Sequence, residues 1–99
     1  KLRSMHCMEV PFFFDNIDNT VFMNGRGREQ YELAWKMAES WAAFARTGNP
    51  SNASIPEWPA FNLNERPTMV FSNNTRVVND PYRDERLATD EILARRQEA

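Results

Sequence analysis

The clearest hydrophobic pattern in the chain covers residues 28–46. Its apolar positions recur every three or four residues, the period of one face of an α-helix: Tyr31, Ala34, Trp35, Ala38, Trp41, Ala42 and Ala45. Three more apolar residues widen this stripe, and three polar ones mark the opposite side: Leu33, Met37, Phe44 and Lys36, Glu39, Ser40. Gly48 and Pro50 are typical stop signals. The pattern predicts a long amphipathic helix whose Trp35/Trp41 face packs against a large partner.

Two further patterns indicate a β-hairpin and a second helix. Apolar runs at 68–71 and 76–78 flank the turn-forming stretch S-N-N-T, which is typical of two antiparallel strands. Residues 84–97 have helical spacing with few apolar positions, namely Leu87, Ile92 and Leu93. We expect this charged last helix to lie on the surface.

The remaining segments are rich in proline and turn formers. Residues 10–14, V-P-F-F-F, predict an extended loop under apolar cover, because Pro11 fixes φ and donates no backbone hydrogen bond. The stretch 48–67 predicts an ordered surface loop, since a residue that precedes proline is pushed towards extended geometry. We expect Trp58 and Phe61 to hold this loop in place.

Composition narrows the function classes. The 99 residues suit one domain segment, 1–99, and 12% aromatic residues exclude a disordered chain. A net charge of −2, with acids and bases interspersed, argues against a nucleic-acid partner, and no apolar run is long enough for a membrane span. A single cysteine and the lack of a signal-peptide pattern favour the cytoplasm. Because the chain begins with Lys1, we expect a piece of a longer protein.

The only histidine, His6, has three interpretations. As a metal ligand it lacks partners, because Cys7 and Glu9 lie within four residues and no second His or Cys exists to complete a zinc site; we expect neither a metal nor a cofactor. As a general base it needs a nucleophile, and no serine here lies in a G-x-S-x-G turn. In the third interpretation, His6 is a structural histidine with no role in chemistry. The residues alone leave these choices open.

The order of several motifs resembles the type-B carboxylesterases, the family of cholinesterase-like enzymes and para-nitrobenzyl esterases. The first motif is H-C-M-E-V-P-F-F-F at 6–14, similar to the catalytic-histidine segment H-x-x-E-[apolar]-P-[aromatic]-x-F. W-A-A-F-A-R-T-G-N-P at 41–50, W-P-A-F at 58–61, R-P-T-M-V-F at 66–71 and D-P-Y-R-D-E-R at 80–86 follow in the family's order. Ser4 and Met5 replace the small residues usual before the histidine, which bears on substrate preference.

The resemblance implies an α/β fold, namely the C-terminal portion of an α/β-hydrolase with a long helix, a short hairpin and a last helix. Such a portion is incomplete without the upstream sheet. His6 would be the base of a Ser-Glu-His triad in a carboxylic-ester hydrolase, and the serine and acid would precede it in the chain. Glu9 would hold its loop through local hydrogen bonds, and the rings of residues 12–14 would belong to the core or touch a substrate pocket.

The implied partners are an ester substrate and the remainder of the hydrolase domain. The piece alone should be inactive, with self-association through the Trp35/Trp41 face as a further expectation. Two alternatives stay open at this point. One is a non-catalytic interaction module of the same fold, and the other is an independent small α+β domain in which His6 is incidental.

Overall fold

Helices dominate the polypeptide, with one small antiparallel sheet between the last two. The computed structural model describes residues 4–98. The elements in chain order are α1 (Val10–Phe13), a 3-10 turn (Ile17–Thr20), α2 (Val21–Asn24), α3 (Arg28–Thr47), β1 (Pro67–Val70), β2 (Arg76–Asn79) and α4 (Arg83–Glu98). The predicted order of long helix, hairpin and last helix is confirmed.

Helix α3 ends where the sequence predicts. Gly48 follows the last helical residue with φ of +77°, and its N–H donates to the Phe44 carbonyl at 2.7 Å. A left-handed residue at this position closes the last turn of a helix, and glycine adopts it without the steric cost of a Cβ. The predicted stop signal is therefore a real helix cap.

The side of α3 that is buried within this chain differs from the predicted apolar stripe. Buried residues on this helix are Ala34, Met37, Ser40 and Ala43, whereas Trp35 is 57% exposed and Trp41 is 49% exposed. Six helical positions at 3.6 residues per turn place the two tryptophans about 120° apart. The two tryptophans are thus the edges of the predicted stripe, which stays open in the described residues, and α3 has apolar residues on two sides.

Ser40, which the pattern assigned to the polar side, is only 2% exposed. Its hydroxyl donates to the Lys36 carbonyl at 2.7 Å and accepts a hydrogen bond from Asn52 Nδ2 at 3.1 Å. Asn52 Nδ2 also donates to the Pro50 carbonyl at 3.0 Å. A small hydroxyl with both a donor and an acceptor partner can be buried at low cost, so Ser40 joins α3 to the following loop.

The hairpin is confirmed, with Pro67 opposite Asn79 and Val70 opposite Arg76. In the loop before it, Phe61 is 62% exposed and does not hold the loop as predicted. The anchors are Ile55, which is 9% exposed, and Trp58, whose N–H donates to Ser51 Oγ at 3.2 Å.

The last helix lies on the surface, as expected, and has no buried residue. Its three main apolar side chains, Leu87, Ile92 and Leu93, are 45–55% exposed. Arg86 connects α4 to the hairpin's end, because its Nη2 and Nε atoms donate to the two carboxylate oxygens of Asp80 at 2.7 and 3.2 Å. This hydrogen-bonded pair holds the pKa of Asp80 below its ordinary value.

The chain is more open than an independent domain of its length. Its radius of gyration is 16.5 Å, against about 13 Å for a compact domain of 100 residues. Its accessible surface is 7771 Å², whereas about 5,800 Å² is typical of a compact 11.6 kDa monomer. The excess surface argues against the independent α+β domain.

Candidate active site

His6 lies on an exposed turn just before α1. The Met8 N–H donates to the Met5 carbonyl at 3.3 Å, so His6 and Cys7 are the two central residues of a four-residue turn. Cys7 has φ of +66°, a conformation that is uncommon for a residue with a Cβ. Nothing in the sequence signals it, since neither glycine nor asparagine, the residues that favour such a φ, occurs there. The turn presents the imidazole to solvent.

Residues 10–13 form a helix, which corrects the prediction of an extended loop. Pro11 lies in the first turn of α1 and is buried. The missing N–H of a proline is harmless in a first turn, because that N–H has no partner within the helix. The Glu9 carbonyl accepts hydrogen bonds from the N–H groups of Phe12 and Phe13 at 3.0 and 3.1 Å.

Glu9 does not act as the sequence suggested. It is the residue before α1, but its carboxylate makes no capping hydrogen bond, and its side chain is exposed. Glu9 lines a surface cavity. The contribution of Glu9 to the loop is made by its backbone carbonyl.

Five aromatic rings connect the histidine segment to the rest of the chain. We call the set formed by Phe13, Trp41, Phe44, Trp58 and Phe71 the aromatic cluster. Phe13 packs edge-on against Trp41 and Phe71, with 6.0 Å between ring centroids in each case, and Trp58 packs against Phe71 at 5.8 Å. Trp41 also stacks on Phe44 at 6.3 Å. Every ring belongs to one of the motifs that carry the family resemblance, so motifs that are distant in sequence meet around α1.

Two cavities flank the cluster. A cavity of about 840 Å³ lies between the histidine turn, α1 and α3, and its lining includes Met5, Met8, Phe12, Leu33 and Met37. A second cavity of about 630 Å³ is lined by the exposed edges of the cluster together with Phe61. Phe12 and Phe13 therefore border open space as well as protein.

A hydrogen bond fixes the start of α3 near this region. The Tyr31 hydroxyl donates to the Asp18 carboxylate, which ties α3 to the 3-10 turn and raises the pKa of Tyr31. Asp18 and Tyr31 are 13 residues apart in the chain. No sequence motif predicts this contact.

The described residues do not complete a catalytic set around His6. Within residues 4–98, the imidazole has no hydrogen bond to a hydroxyl or carboxylate side chain, and no cluster of three His, Cys, Asp or Glu side chains could hold a metal ion. None of the helices in this part of the chain has the length and apolar character that crossing a membrane requires. Within residues 4–98, the structure places His6, the candidate base, on an exposed turn next to α1.

The model of the carboxylesterase family matches residues 1–89. The chain is 31% identical over 86 residues to para-nitrobenzyl esterase of Bacillus subtilis, covering 85% of this chain and 17% of that protein. It is 30% identical over 81 residues to phenmedipham hydrolase of Pseudarthrobacter oxydans, covering 78% of this chain and 16% of that protein. The chain thus spans about one sixth of the length of these relatives.

Solved structures agree. A carboxylesterase of Geobacillus stearothermophilus superimposes with a TM-score of 0.76 at 35% identity, over 89% of this chain and 19% of the other. A para-nitrobenzyl esterase superimposes with a TM-score of 0.75 at 32% identity, over 83% of this chain and 17% of the other. The helix, hairpin and helix are consistent with part of the α/β-hydrolase fold of these enzymes. By sequence and by fold, the chain belongs to the carboxylesterase family.

Proposed function

We propose that this chain is the histidine-bearing segment of a serine carboxylic-ester hydrolase, and that His6 is its general base. The observation that carries the proposal is the exposed turn with His6 just before α1, a helix that the aromatic cluster holds through Phe13, in a chain of the carboxylesterase family. The relatives named para-nitrobenzyl esterase and carboxylesterase make an ester the substrate class that fits best.

The chemistry assigned to His6 follows from an imidazole's ability to take and return a proton near neutral pH. In acyl transfer, a serine hydroxyl attacks the ester carbonyl carbon while the imidazole accepts the hydroxyl proton. The imidazolium then gives this proton to the departing alkoxide, and the alcohol leaves. Water repeats the two steps on the acyl-enzyme and releases the acid. The serine and the triad acid belong to the remainder of the hydrolase domain in this proposal.

The open shape of the chain supports a missing partner that covers a large part of its surface. The surface in excess of a compact monomer is about 1,900 Å², obtained by comparing 7771 Å² with the value expected from the mass. An interface that buries this much on each side falls in the class of permanent interfaces. The remainder of the same domain is the partner that accounts for it, and the chain alone should be inactive.

The side of α3 that carries Trp35 is one part of this surface. Trp35 is 57% exposed and lines a shallow groove with Tyr31 and Lys36. We propose that the remainder of the domain covers this side, and that a chain separated from it self-associates there. Trp41, at the other edge of the predicted stripe, is half exposed and packs against Phe13 and Phe44 in the aromatic cluster.

The test uses the complete hydrolase that carries this segment. Replacing the base with His6→Gln should lower kcat for para-nitrophenyl acetate by about 10⁴-fold or more, as removal of a triad member does. A thermal melt should show that the variant remains folded at the assay temperature, because glutamine is a polar side chain of similar size and no side chain within residues 4–98 depends on a hydrogen bond to His6. A variant that keeps kcat within about tenfold of the parent contradicts the assigned role. A complete, folded parent without ester turnover would instead indicate the non-catalytic interaction module.

A further inference from the structure

The turn that carries His6 depends on an unusual backbone at the next residue. In the turn from Met5 to Met8, Cys7 has φ of +66°, and His6 is not among the described residues with positive φ. A positive φ at the third residue alone is the signature of a type II turn, and glycine or asparagine is the usual occupant of that position. Cys7 therefore holds a conformation that its own side chain disfavours.

The same residue connects the turn to a fixed element. The Cys7 carbonyl accepts a hydrogen bond from the Val10 N–H at 3.4 Å, and α1 begins at Val10. Helix α1 cannot easily move to relieve Cys7, because Pro11 is buried and the Phe13 ring packs between Trp41 and Phe71. The backbone of Cys7 is thus the link between a braced helix and the histidine.

We propose that Cys7 is a positioning residue for the His6 base, and that it acts through its left-handed backbone and not through its thiol. This inference rests on the proposed function, since it assigns His6 a role in ester hydrolysis. A residue that cannot hold φ near +66° must either flip the central peptide of the turn or break the hydrogen bond from Met8 to Met5. Either change alters the backbone that carries His6, and displacing a catalytic group by about 1 Å can cost 100-fold in rate.

The side-chain series at Cys7 separates the backbone from the thiol. Cys7→Gly and Cys7→Asn accept positive φ, Cys7→Ser keeps size but changes the sulfur, and Cys7→Val is β-branched and disfavours positive φ strongly. If the backbone matters, Gly and Asn should support turnover and Val should not. If the thiol takes part in the chemistry, then Gly, Asn and Ser should all fail.

The assay is steady-state hydrolysis of para-nitrophenyl acetate by the complete hydrolase, together with thermal melts. We expect Gly, Asn and Ser variants to keep kcat within about threefold, and the Val variant to lose about 10-fold to 100-fold in kcat with KM changed less than about threefold. Loss of folded enzyme also lowers the apparent kcat, so kcat is divided by the folded fraction that the melts give. A fall in kcat that remains after this correction, with KM nearly unchanged, indicates a misplaced base. The Gly variant should melt at the same temperature as the parent or higher.

Three outcomes overturn the proposal: an unchanged kcat for Cys7→Val, a loss of kcat in Cys7→Gly as large as in Cys7→Val, or a Gly variant that melts below the parent. If the Val variant does not fold, the Gly and Asn variants still decide, through turnover and melting temperature. The His6→Gln variant distinguishes the two proposals. If it keeps turnover, the proposed function is wrong, whereas if it loses turnover and Cys7→Val does not, only the role of Cys7 is wrong.

Discussion

Replacing Phe13 with leucine tests whether the aromatic cluster holds the histidine segment in place. The Phe13 ring joins α1 to α3 through Trp41 and to the hairpin through Phe71, with both centroid distances at 6.0 Å and interplanar angles of 60° and 81°. Leucine keeps an apolar side chain of comparable size and removes both edge-to-face contacts. Helix α1 then loses its main directional contacts with the rest of the chain.

The expected effect follows from the two ring pairs. An edge-to-face pair contributes about 0.5–1.5 kcal/mol beyond its buried area, so Phe13→Leu should lower the free energy of unfolding by about 1–3 kcal/mol. A local change of this size shifts the balance between docked and undocked α1 by a factor of about 5 or more. Because His6 lies four residues before α1, kcat should fall along with stability.

The matched control is the next residue in the chain. Phe14 is 67% exposed and takes part in none of the ring pairs among the described residues. Urea unfolding and ester turnover of Phe13→Leu and Phe14→Leu are compared in the complete hydrolase, where Phe14→Leu should cost less than Phe13→Leu because it removes no ring pair within residues 4–98. Equal losses in the two variants, or no loss in Phe13→Leu, would refute the bracing role of the cluster.

Three other substitutions test the cap, the ion pair and the buried hydroxyl. In Gly48→Ala the new Cβ meets no atom within 4 Å, so the cost comes only from φ of +77° and should be about 1 kcal/mol in a urea melt; no loss would contradict the cap. Since Arg86 lowers the pKa of Asp80, the pair stabilises fully above an aspartate's ordinary pKa and stops doing so as the pH falls through the lowered value. The melting temperature of the parent should therefore drop more on acidification than that of Asp80→Asn, and parallel curves would contradict this. Ser40→Ala removes an acceptor from Asn52 and should cost about 1 kcal/mol by the same urea melt, whereas an unchanged midpoint would show that the buried hydroxyl is not needed.

Much of the fold was predictable because it depends on neighbours in the sequence. The period of the apolar residues predicts α3, and Gly48 predicts its end, since hydrogen bonds within a helix join residues four apart. The hairpin was equally predictable, because a four-residue turn between two apolar runs brings neighbouring strands together. The candidate site was predictable only through the order of motifs, because a single histidine forms no periodic pattern and has no second residue at a telling spacing.

The other features depend on contacts between residues far apart in the chain. Which side of α3 is buried within this chain was decided by α1 and the following loop. Ser40 is therefore covered, against the pattern, and Trp35 is left open. The short helix at Val10–Phe13 needed the Glu9 carbonyl and a buried place for Pro11, which residue propensities do not supply. The positive φ of Cys7 likewise arises where a turn must join a braced helix, and only packing can impose on a residue a backbone that it disfavours.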